Sequence, residues 1–223
     1  MGKKNILSKY IPFAKRIYDY FKKSRYQYLY RAIRQRRCRK IMEIGVYDGE
    51  QALKMLSVAK KFHGSDVEYF GFDLFEDINE EIFQEEGSKY PLSYDNIQKK
   101  LDKTGCKIHL YKGFTNKTLP ENVGHLPAMD LIFIDGGHSV ETIANDWKYS
   151  QQLMSDKTIT LFDDYYFDKD DLGCKKIIEA INKGEFNVVI LPAQNSFKND
   201  WGVLKINFVR VEKVRRKNEN YRP

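Results

Sequence analysis

Two apolar segments that each run into acidic residues constrain the fold of this chain most strongly. Residues 131–134 are aliphatic or aromatic, and they lead into Asp135, two glycines and His138. Residues 158–162 are similar and lead into Asp163 and Asp164. The apolar residues between the two segments keep helical spacing, which predicts strand, helix, strand. Because the carboxyl ends of parallel strands meet at one edge of a sheet, all three carboxylates are expected to face one crevice.

These three acids suggest a metal site. Asp135, Asp163 and Asp164 offer hard oxygen donors with no cysteine among them, and such donors favour Mg²⁺ or a similar hard cation over zinc. His138 has an ordinary pKa of about 6.5, so it could accept a proton near neutral pH. The alternative interpretations are turn residues for the two adjacent acids, and for His138 a residue at a helix N-terminus that only solvates the turn.

Composition indicates one domain in a reducing compartment. A chain of 223 residues that is 42% hydrophobic can bury a full core without a second domain. Cys38, Cys106 and Cys174 are odd in number and widely spaced, which favours reduced thiols. The start of the chain shows no signal-peptide pattern, and no segment approaches the length of a membrane span. We therefore expect a cytoplasmic protein.

The positive charge is concentrated at the N-terminus. Residues 1–40 carry 14 Lys or Arg against one acid, whereas the remaining 183 residues are net negative. Apolar residues at helical spacing over residues 5–23 predict a basic amphipathic helix. We predict a basic helical extension (1–39), a catalytic domain (40–211) and a charged tail (212–223). The helix could pack on the sheet or on a second copy of the chain, attach the protein peripherally to an anionic membrane, or bind a polyanion.

The first strand leads into a glycine turn. Residues 40–44 are followed by Gly45 and Gly49 and then by an amphipathic helix, which is the opening unit of a Rossmann-like sheet. The G-x-x-x-G spacing lacks the three glycines of a dinucleotide site. The carboxylates of Glu43 and Asp48 would repel a pyrophosphate, but they would attract a ligand that carries an ammonium and a sulfonium.

An acid after the second strand completes a predicted pocket for a nucleoside ligand. Asp73 follows the strand at residues 67–72, where a carboxylate can hold a ribose diol. The third strand, residues 107–111, is followed by the matching loop with Gly113 and Phe114. Residues 74–100 fit either a single crossover helix or an acidic flap over the substrate.

The remaining strands complete the predicted sheet. Residues 186–191 and 202–209 read as strands, and the alternating pattern of the second predicts an antiparallel edge strand. The predicted fold is an α/β Rossmann-like sheet of seven mostly parallel strands with an antiparallel last strand and helices on both faces.

Four motifs in this order resemble class I S-adenosylmethionine-dependent methyltransferases over residues 40–209. They are Glu43-Ile-Gly45-Val-Tyr-Asp-Gly49, Asp73, Ile134-Asp135-Gly-Gly-His138 and Phe162-Asp163-Asp164-Tyr165. The resemblance is greatest to metal-dependent O-methyltransferases that act on sugars of macrolides and related natural products, and it is more distant to catechol O-methyltransferases. It implies S-adenosylmethionine as cofactor and a hydroxyl of a sugar or other small molecule as methyl acceptor.

The resemblance also assigns roles to residues. Asp135, Asp163 and Asp164 would hold Mg²⁺, and Asp135 and His138 would be catalytic, with His138 as the general base. The metal would lower the pKa of the acceptor hydroxyl. The predicted cofactor-binding residues are Glu43, Gly45, Tyr47, Asp48, Gly49, Asp73, Gly113, Phe114, Asp135 and His138.

Three other functions are compatible with parts of the sequence. Tyr165 and Lys169 form the Y-x-x-x-K pair of short-chain NAD(P)-dependent oxidoreductases, but they follow a strand end where one helix face is required. The basic N-terminus is compatible with nucleic-acid methylation, although residues 135–138 do not match the N/D-P-P-Y loop of such enzymes. A non-catalytic binding module is the third alternative.

Overall fold

The structure is a computed structural model that describes residues 25–86, 90–199 and 202–214. All the strands in these residues belong to one sheet. The strands are β1 (Lys40–Ile44), β2 (Glu68–Asp73), β3 (Lys107–Lys112), β4 (Met129–Ile134), β5 (Met154–Tyr166), β6 (Phe186–Asn199) and β7 (Gly202–Lys213). Their order across the sheet is β3-β2-β1-β4-β5-β7-β6. Neighbours from β3 to β5 are parallel, and β7 is antiparallel to both β5 and β6.

The prediction of β7 as an edge strand is wrong. β7 lies between β5 and β6, and β6 forms the edge. Phe208 of β7 is buried in the hydrophobic cluster on one face of the sheet, and Val209 and Val211 are buried in the cluster on the other face. A strand that buries side chains on both faces belongs inside a sheet, and its polar positions had suggested an exposed face that the fold does not leave open.

Helices connect the strands. They are α1 (Gln27–Arg36), α2 (Glu50–His63), α3 (Glu80–Glu86), α4 (Tyr94–Asp102), α5 (Thr115–Asn122), α6 (Val140–Ser150) and α7 (Lys175–Ala180). Short 3-10 turns occupy Gly64–Asp66, Phe75–Asp77 and Gln151–Leu153. The connection from β2 to β3 contains two helices and a 3-10 turn, so the single crossover helix is wrong. The acidic α3 buries none of its side chains and lies on the surface.

The hydrophobic core has two layers, one on each face of the sheet. Ile41 belongs to the layer under α1, α2 and α4, and the next residue, Met42, belongs to the layer under α5, α6 and α7. This separation follows from the alternation of side chains along a strand. Since both faces are covered, the central strands are largely apolar on both sides, and Glu43 is the buried exception in β1. The predicted α/β architecture with helices on both faces is confirmed.

Helix α1 is part of the first layer. Leu29, Ala32 and Ile33 are buried against the sheet, although the sequence analysis had grouped them with the N-terminal extension. The basic helix predicted over residues 5–23 lies outside the described residues. Within the described chain, no helix has the length and apolar character needed to cross a membrane.

Strand β1 marks the point where the chain reverses direction across the sheet. β2 and β3 lie on one side of β1, and β4 and the later strands lie on the other. The loops that follow β1 and β4 therefore emerge side by side, and the amide of Asp135 donates to the carbonyl of Ile44 at 2.9 Å. Such a switch point is where open α/β sheets bind their ligands.

Candidate active site

The turn after β1 depends on backbone conformations that favour glycine. Gly45, Tyr47 and Gly49 have φ angles of 91°, 51° and 72°. A Cβ atom on Gly45 would lie 2.0 Å from the carbonyl oxygen of Asp135, which no side chain could accommodate. Gly45 therefore lets the loops after β1 and β4 touch, and it brings the predicted cofactor turn against the predicted catalytic loop.

Asp73 fixes this turn to the end of β2. Its Oδ2 accepts the amides of Val46 at 2.7 Å and Tyr47 at 2.8 Å, and its Oδ1 accepts the amide of Phe75 at 2.8 Å. A carboxylate oxygen can accept two hydrogen bonds. Counting partners among the described residues, Oδ1 has capacity for one more, such as a ligand hydroxyl.

Glu43 lies beneath the turn with 1% of its surface exposed. The pKa of Glu43 is raised to about 8, chiefly by burial; the charges of Asp73 and Asp48 act in the same direction, and the hydrogen bond from the Tyr69 hydroxyl opposes them. A buried carboxyl of this kind is largely protonated at neutral pH and ionises more readily when a cation binds beside it.

The other predicted cofactor residues lie at the same edge. The amide of Gly113 donates to the carbonyl of Asp73 at 3.0 Å, and Phe114 precedes α5 with its ring about half exposed. Tyr47 is similarly exposed at the rim of the turn. Asp48 accepts the amide of Glu50 at 2.9 Å at the start of α2. The loops after β1, β2 and β3 thus form one continuous rim.

A backbone irregularity in β5 brings both adjacent acids to the site. Regular strand geometry would point Asp163 and Asp164 to opposite faces of the sheet. The register shifts between Phe162 and Tyr165, and Asp164 has a φ of 55°. Asp is among the residues that tolerate this conformation, and such strain is concentrated at functional sites. Both acids therefore lie within β5, whereas the sequence had predicted that they follow the end of the strand.

Asp164 orients His138. Its Oδ2 is 3.1 Å from His138 Nε2, and its Oδ1 accepts the Tyr166 hydroxyl at 2.8 Å. Burial lowers the pKa of His138, but the hydrogen bond and charge of Asp164 outweigh burial and leave that pKa raised. Since a carboxylate only accepts, Nε2 carries hydrogen and the neutral ring presents its lone pair on Nδ1.

Asp163 is paired with an arginine. Arg25 donates from Nε to Oδ1 at 2.7 Å and from Nη2 to Oδ2 at 2.6 Å. The hydroxyl of Tyr26 lies 3.4 Å from Asp163 Oδ2 and 3.5 Å from Asp135 Oδ2. Burial and the charges of Asp163 and Asp164 raise the pKa of Asp135 well above its ordinary value. The three acids thus come together, as the sequence had predicted.

The arrangement of these acids is not that of a metal site. In residues 25–86, 90–199 and 202–214, no group of three or more His, Cys, Asp or Glu side chains is arranged to hold a metal ion. The cleft between Asp135, Asp163 and Asp164 is too narrow for a water molecule. Both oxygens of Asp163 already accept hydrogen bonds, Oδ1 from Arg25 and from the Asp164 amide at 2.7 Å, and Oδ2 from Arg25. The donor chemistry suits Mg²⁺, but the geometry does not, and the magnesium ion stays a prediction.

Glu86 joins the acidic helix α3, which lies between β2 and β3, to the site. It ends α3, and its carboxylate accepts the Ser139 amide at 2.9 Å, the Ser139 hydroxyl at 3.0 Å and the Thr142 hydroxyl at 2.7 Å. A Cβ on Gly137 would lie 2.4 Å from Glu86 Oε2. A side chain at position 137 would therefore displace the Glu86 carboxylate from its present place.

Five residues of the site were missed by the sequence analysis: Arg25, Tyr26, Tyr69, Glu86 and Tyr166. Tyr166 could have been found, because it lies two positions from Asp164 on the same strand. The other four come from segments distant in sequence, and no local pattern connects them to their partners.

A Rossmann-like sheet with a glycine turn after β1, an acid at the end of β2 and a histidine–carboxylate pair beside them is the arrangement expected of a class I methyltransferase. Residues 42–165 match the family described as "Methyltransferase domain", so the chain belongs to this family. It is a methyltransferase enzyme, and the resemblance stated from the sequence is confirmed. The family match selects this function over the oxidoreductase and the non-catalytic module.

Solved structures share the fold. The O-methyltransferase TomG from Streptomyces achromogenes, involved in tomaymycin synthesis and solved with S-adenosylmethionine, matches with a TM-score of 0.57 and 13% identity over 82% of this chain and 78% of its own. An O-methyltransferase from Bacillus cereus solved with S-adenosylhomocysteine matches with a TM-score of 0.54 and 12% identity over 83% and 79% of the two chains. No curated protein matches this chain.

Proposed function

We propose that this protein transfers a methyl group from S-adenosylmethionine to a hydroxyl of a sugar or another small molecule. The supporting observation is that the Asp164–His138 pair and the Gly45 turn share one crevice: Asp135, whose backbone touches the turn, lies three residues before His138. A proton acceptor thus stands beside the proposed donor site. The two solved O-methyltransferases that share the fold support the same class of reaction.

The residues around the turn suit this cofactor. Glu43 and Asp73 offer carboxylates to an ammonium group and to ribose hydroxyls, and Gly45 keeps the floor of the turn free of a side chain. Asp73 is already held in position by three backbone amides, so it needs no rearrangement to accept a hydroxyl. When bound, S-adenosylmethionine supplies an activated methyl group on a sulfonium.

His138 then has one task, which is to remove the proton of the acceptor hydroxyl. His138 Nδ1 would take the hydroxyl proton as the acceptor oxygen took the methyl group from the sulfonium, with S-adenosylhomocysteine as the other product. Asp164 stabilises the resulting imidazolium through Nε2–H. Asp135 lies where it can orient the acceptor hydroxyl. No step depends on the predicted magnesium ion.

The acceptor and the partners stay predictions. A sugar hydroxyl is the first choice and a phenol or catechol the second. Attachment to an anionic membrane, or to a second copy of the chain, through the basic N-terminal helix concerns residues outside the described chain.

Two measurements test the proposed function. Calorimetric titration with S-adenosylmethionine should show binding to the wild type and much weaker binding to Asp73→Asn. Incubation with methyl-labelled cofactor and pools of glycans, phenols and amines should label a hydroxyl compound, and His138→Ala should reduce that labelling while cofactor binding remains. Absence of cofactor binding, or labelling of amines alone, would contradict the proposal.

A further inference from the structure

We propose that Arg25 is the resident cation of the carboxylate cluster and holds Asp163 in the place of a divalent metal ion. The cluster consists of Asp135, Asp163 and Asp164. The inference concerns the same crevice as the proposed function, but it is tested by metal binding alone. An experiment that contradicts methyl transfer would therefore leave this inference standing, and the reverse also holds.

The contact between Arg25 and Asp163 is the two-pronged pairing that guanidinium groups make with carboxylates. Nε and Nη2 each donate to a different oxygen, at 2.7 and 2.6 Å. Charge-assisted pairs of this geometry are the strongest hydrogen bonds that such side chains form. Asp163 Oδ1 also accepts the Asp164 amide at 2.7 Å, and the Tyr26 hydroxyl lies 3.4 Å from Oδ2, so each oxygen has two donors near it. Since a carboxylate oxygen accepts about two bonds, a metal ion could bind Asp163 only after Arg25 or one of these donors had moved.

Arg25 is fixed in this position by its surroundings. The side chains of Arg25 and Asp163 are 8% and 1% exposed. The Arg25 amide donates to Asn195 Oδ1 at 3.1 Å, and the guanidinium carbon lies 4.9 Å from the ring centre of Tyr26 and 5.6 Å from that of Phe208. These aromatic contacts favour a cation at this point. Arg25 is thus a buried and well-packed component of the site, and it differs in this respect from a surface side chain that only covers the site.

The other acids of the cluster have partners too. Asp164 uses one oxygen for His138 and the other for Tyr166. Tyr26 brings its hydroxyl to 3.5 Å from Asp135. Because Asp163 and Asp164 are engaged by these partners, Asp135 is the one carboxylate of the cluster left for a metal ion. A hard cation that is bound by protein normally requires several oxygen ligands.

A divalent ion beside Arg25 would also meet a like charge in a poorly solvated place, where repulsion is strong. Arg25 therefore acts as a positioning residue that neutralises Asp163 and keeps it next to Asp135. The consequence is that a divalent cation should neither bind this cluster nor be required by it.

Binding of Mn²⁺ to the full-length protein, followed through the electron paramagnetic resonance signal of free Mn²⁺, tests this directly. The wild type and the control Arg34→Met, which removes an exposed arginine of α1, should bind no Mn²⁺ at the cluster. Arg25→Met should gain one site with a dissociation constant at least about tenfold below any value for the wild type. Asp163→Asn in the Arg25→Met background should remove that site.

A second measurement uses thermal unfolding. Mg²⁺ should raise the melting temperature of Arg25→Met and leave that of the wild type unchanged, because only a folded state with a site is stabilised by its ligand. Each of two results would overturn the proposal. One is a single Mn²⁺ site in the wild type that Asp163→Asn removes, which can be measured even if Arg25→Met does not fold. The other is folded Arg25→Met protein that gains no site.

Discussion

The Cβ atom that any other residue would place at Gly45 lies 2.0 Å from the carbonyl oxygen of Asp135. This relationship joins the turn after β1 to the loop after β4, since a backbone oxygen cannot move aside as a flexible side chain can. The distance between the proposed cofactor site and the proposed base is therefore set by one residue without a side chain.

Gly45→Ala should destabilise the protein by about 3 kcal/mol or more, because the new methyl group clashes and the φ of 91° is strained for alanine. Cofactor binding should be lost with it. Urea unfolding and calorimetry measure both effects. The control is Gly124→Ala, where an added Cβ meets nothing within 4 Å. Equal stability of the two variants would contradict this account of the turn.

Asp73→Asn should loosen the turn and weaken cofactor binding by about tenfold or more, because backbone amides bind both carboxylate oxygens and asparagine has only one acceptor oxygen. The affinity for S-adenosylmethionine is the quantity to measure. Asp77→Asn is the matched control, because Asp77 is exposed and pairs with Lys112 at the surface. If both variants bound the cofactor as the wild type does, Asp73 would have no role in the site.

Glu43→Gln should remove a pH dependence of stability. The pKa of Glu43 rises from its ordinary value of 4.5 to about 8 on folding, so the folded state binds the proton more tightly than the unfolded state. Stability from this group is complete below pH 4.5 and is lost as pH rises toward 8, by up to about 5 kcal/mol. Glutamine keeps an acceptor for Tyr69 and does not titrate.

Urea unfolding of the wild type and Glu43→Gln at several pH values between 4.5 and 8 tests this difference. Glu50→Gln is the control, since Glu50 is exposed and the hydrogen bond from Lys100 lowers its pKa. The control should keep the slope of the wild type. Part of the slope should remain in Glu43→Gln, because burial also raises the pKa of Asp135 and of Asp146. A slope in Glu43→Gln as steep as that of the wild type would contradict the role of Glu43.

Asp164→Asn should move the acidic limb of the pH–rate profile to lower pH. Burial lowers the pKa of His138, and the hydrogen bond and charge of Asp164 are the largest causes that raise it, with smaller contributions from the charges of Asp163 and Glu86. His138 must be neutral to act as a base, so the acidic limb of the wild-type profile should lie above the ordinary pKa of histidine. Without the carboxylate the limb should shift down, and maximal turnover should fall by about tenfold to a hundredfold as the ring loses its orientation.

The matched control for this profile is Asp170→Asn, which changes an exposed acid bound to Lys175. Its limb should coincide with that of the wild type. If Asp164→Asn left the limb in place, His138 would not be the group whose ionisation the rate reports.

Glu86→Gln should release the end of α3 from α6, because the charge-assisted bonds to the Ser139 amide and to the hydroxyls of Ser139 and Thr142 would weaken. Hydrogen exchange of residues 80–86 should become several-fold faster, with that of β1 unchanged. Glu81→Gln serves as the control, since Glu81 is an exposed residue of the same helix. Unchanged exchange in Glu86→Gln would show that other contacts hold α3.

The sequence by itself determined the sheet and the chemistry of its edge. The apolar runs of β1, β2 and β4 are long enough, and apolar enough, to require a sheet that is covered on both faces. Their order then fixes which loops emerge together. Glu43, Gly45, Asp73, Asp135 and His138 could be assigned to one crevice for this reason, without any knowledge of side-chain contacts.

Only the tertiary structure decided which charges meet. Arg25 and Asp163 are 138 positions apart in the chain, and no periodic pattern reports a contact at that separation. The bulge that turns Asp164 toward His138 is equally invisible, because a local change of φ leaves no mark on hydrophobic spacing. Sequence patterns record which side chains avoid water, whereas the partner of a buried charge is chosen by the packing of distant segments.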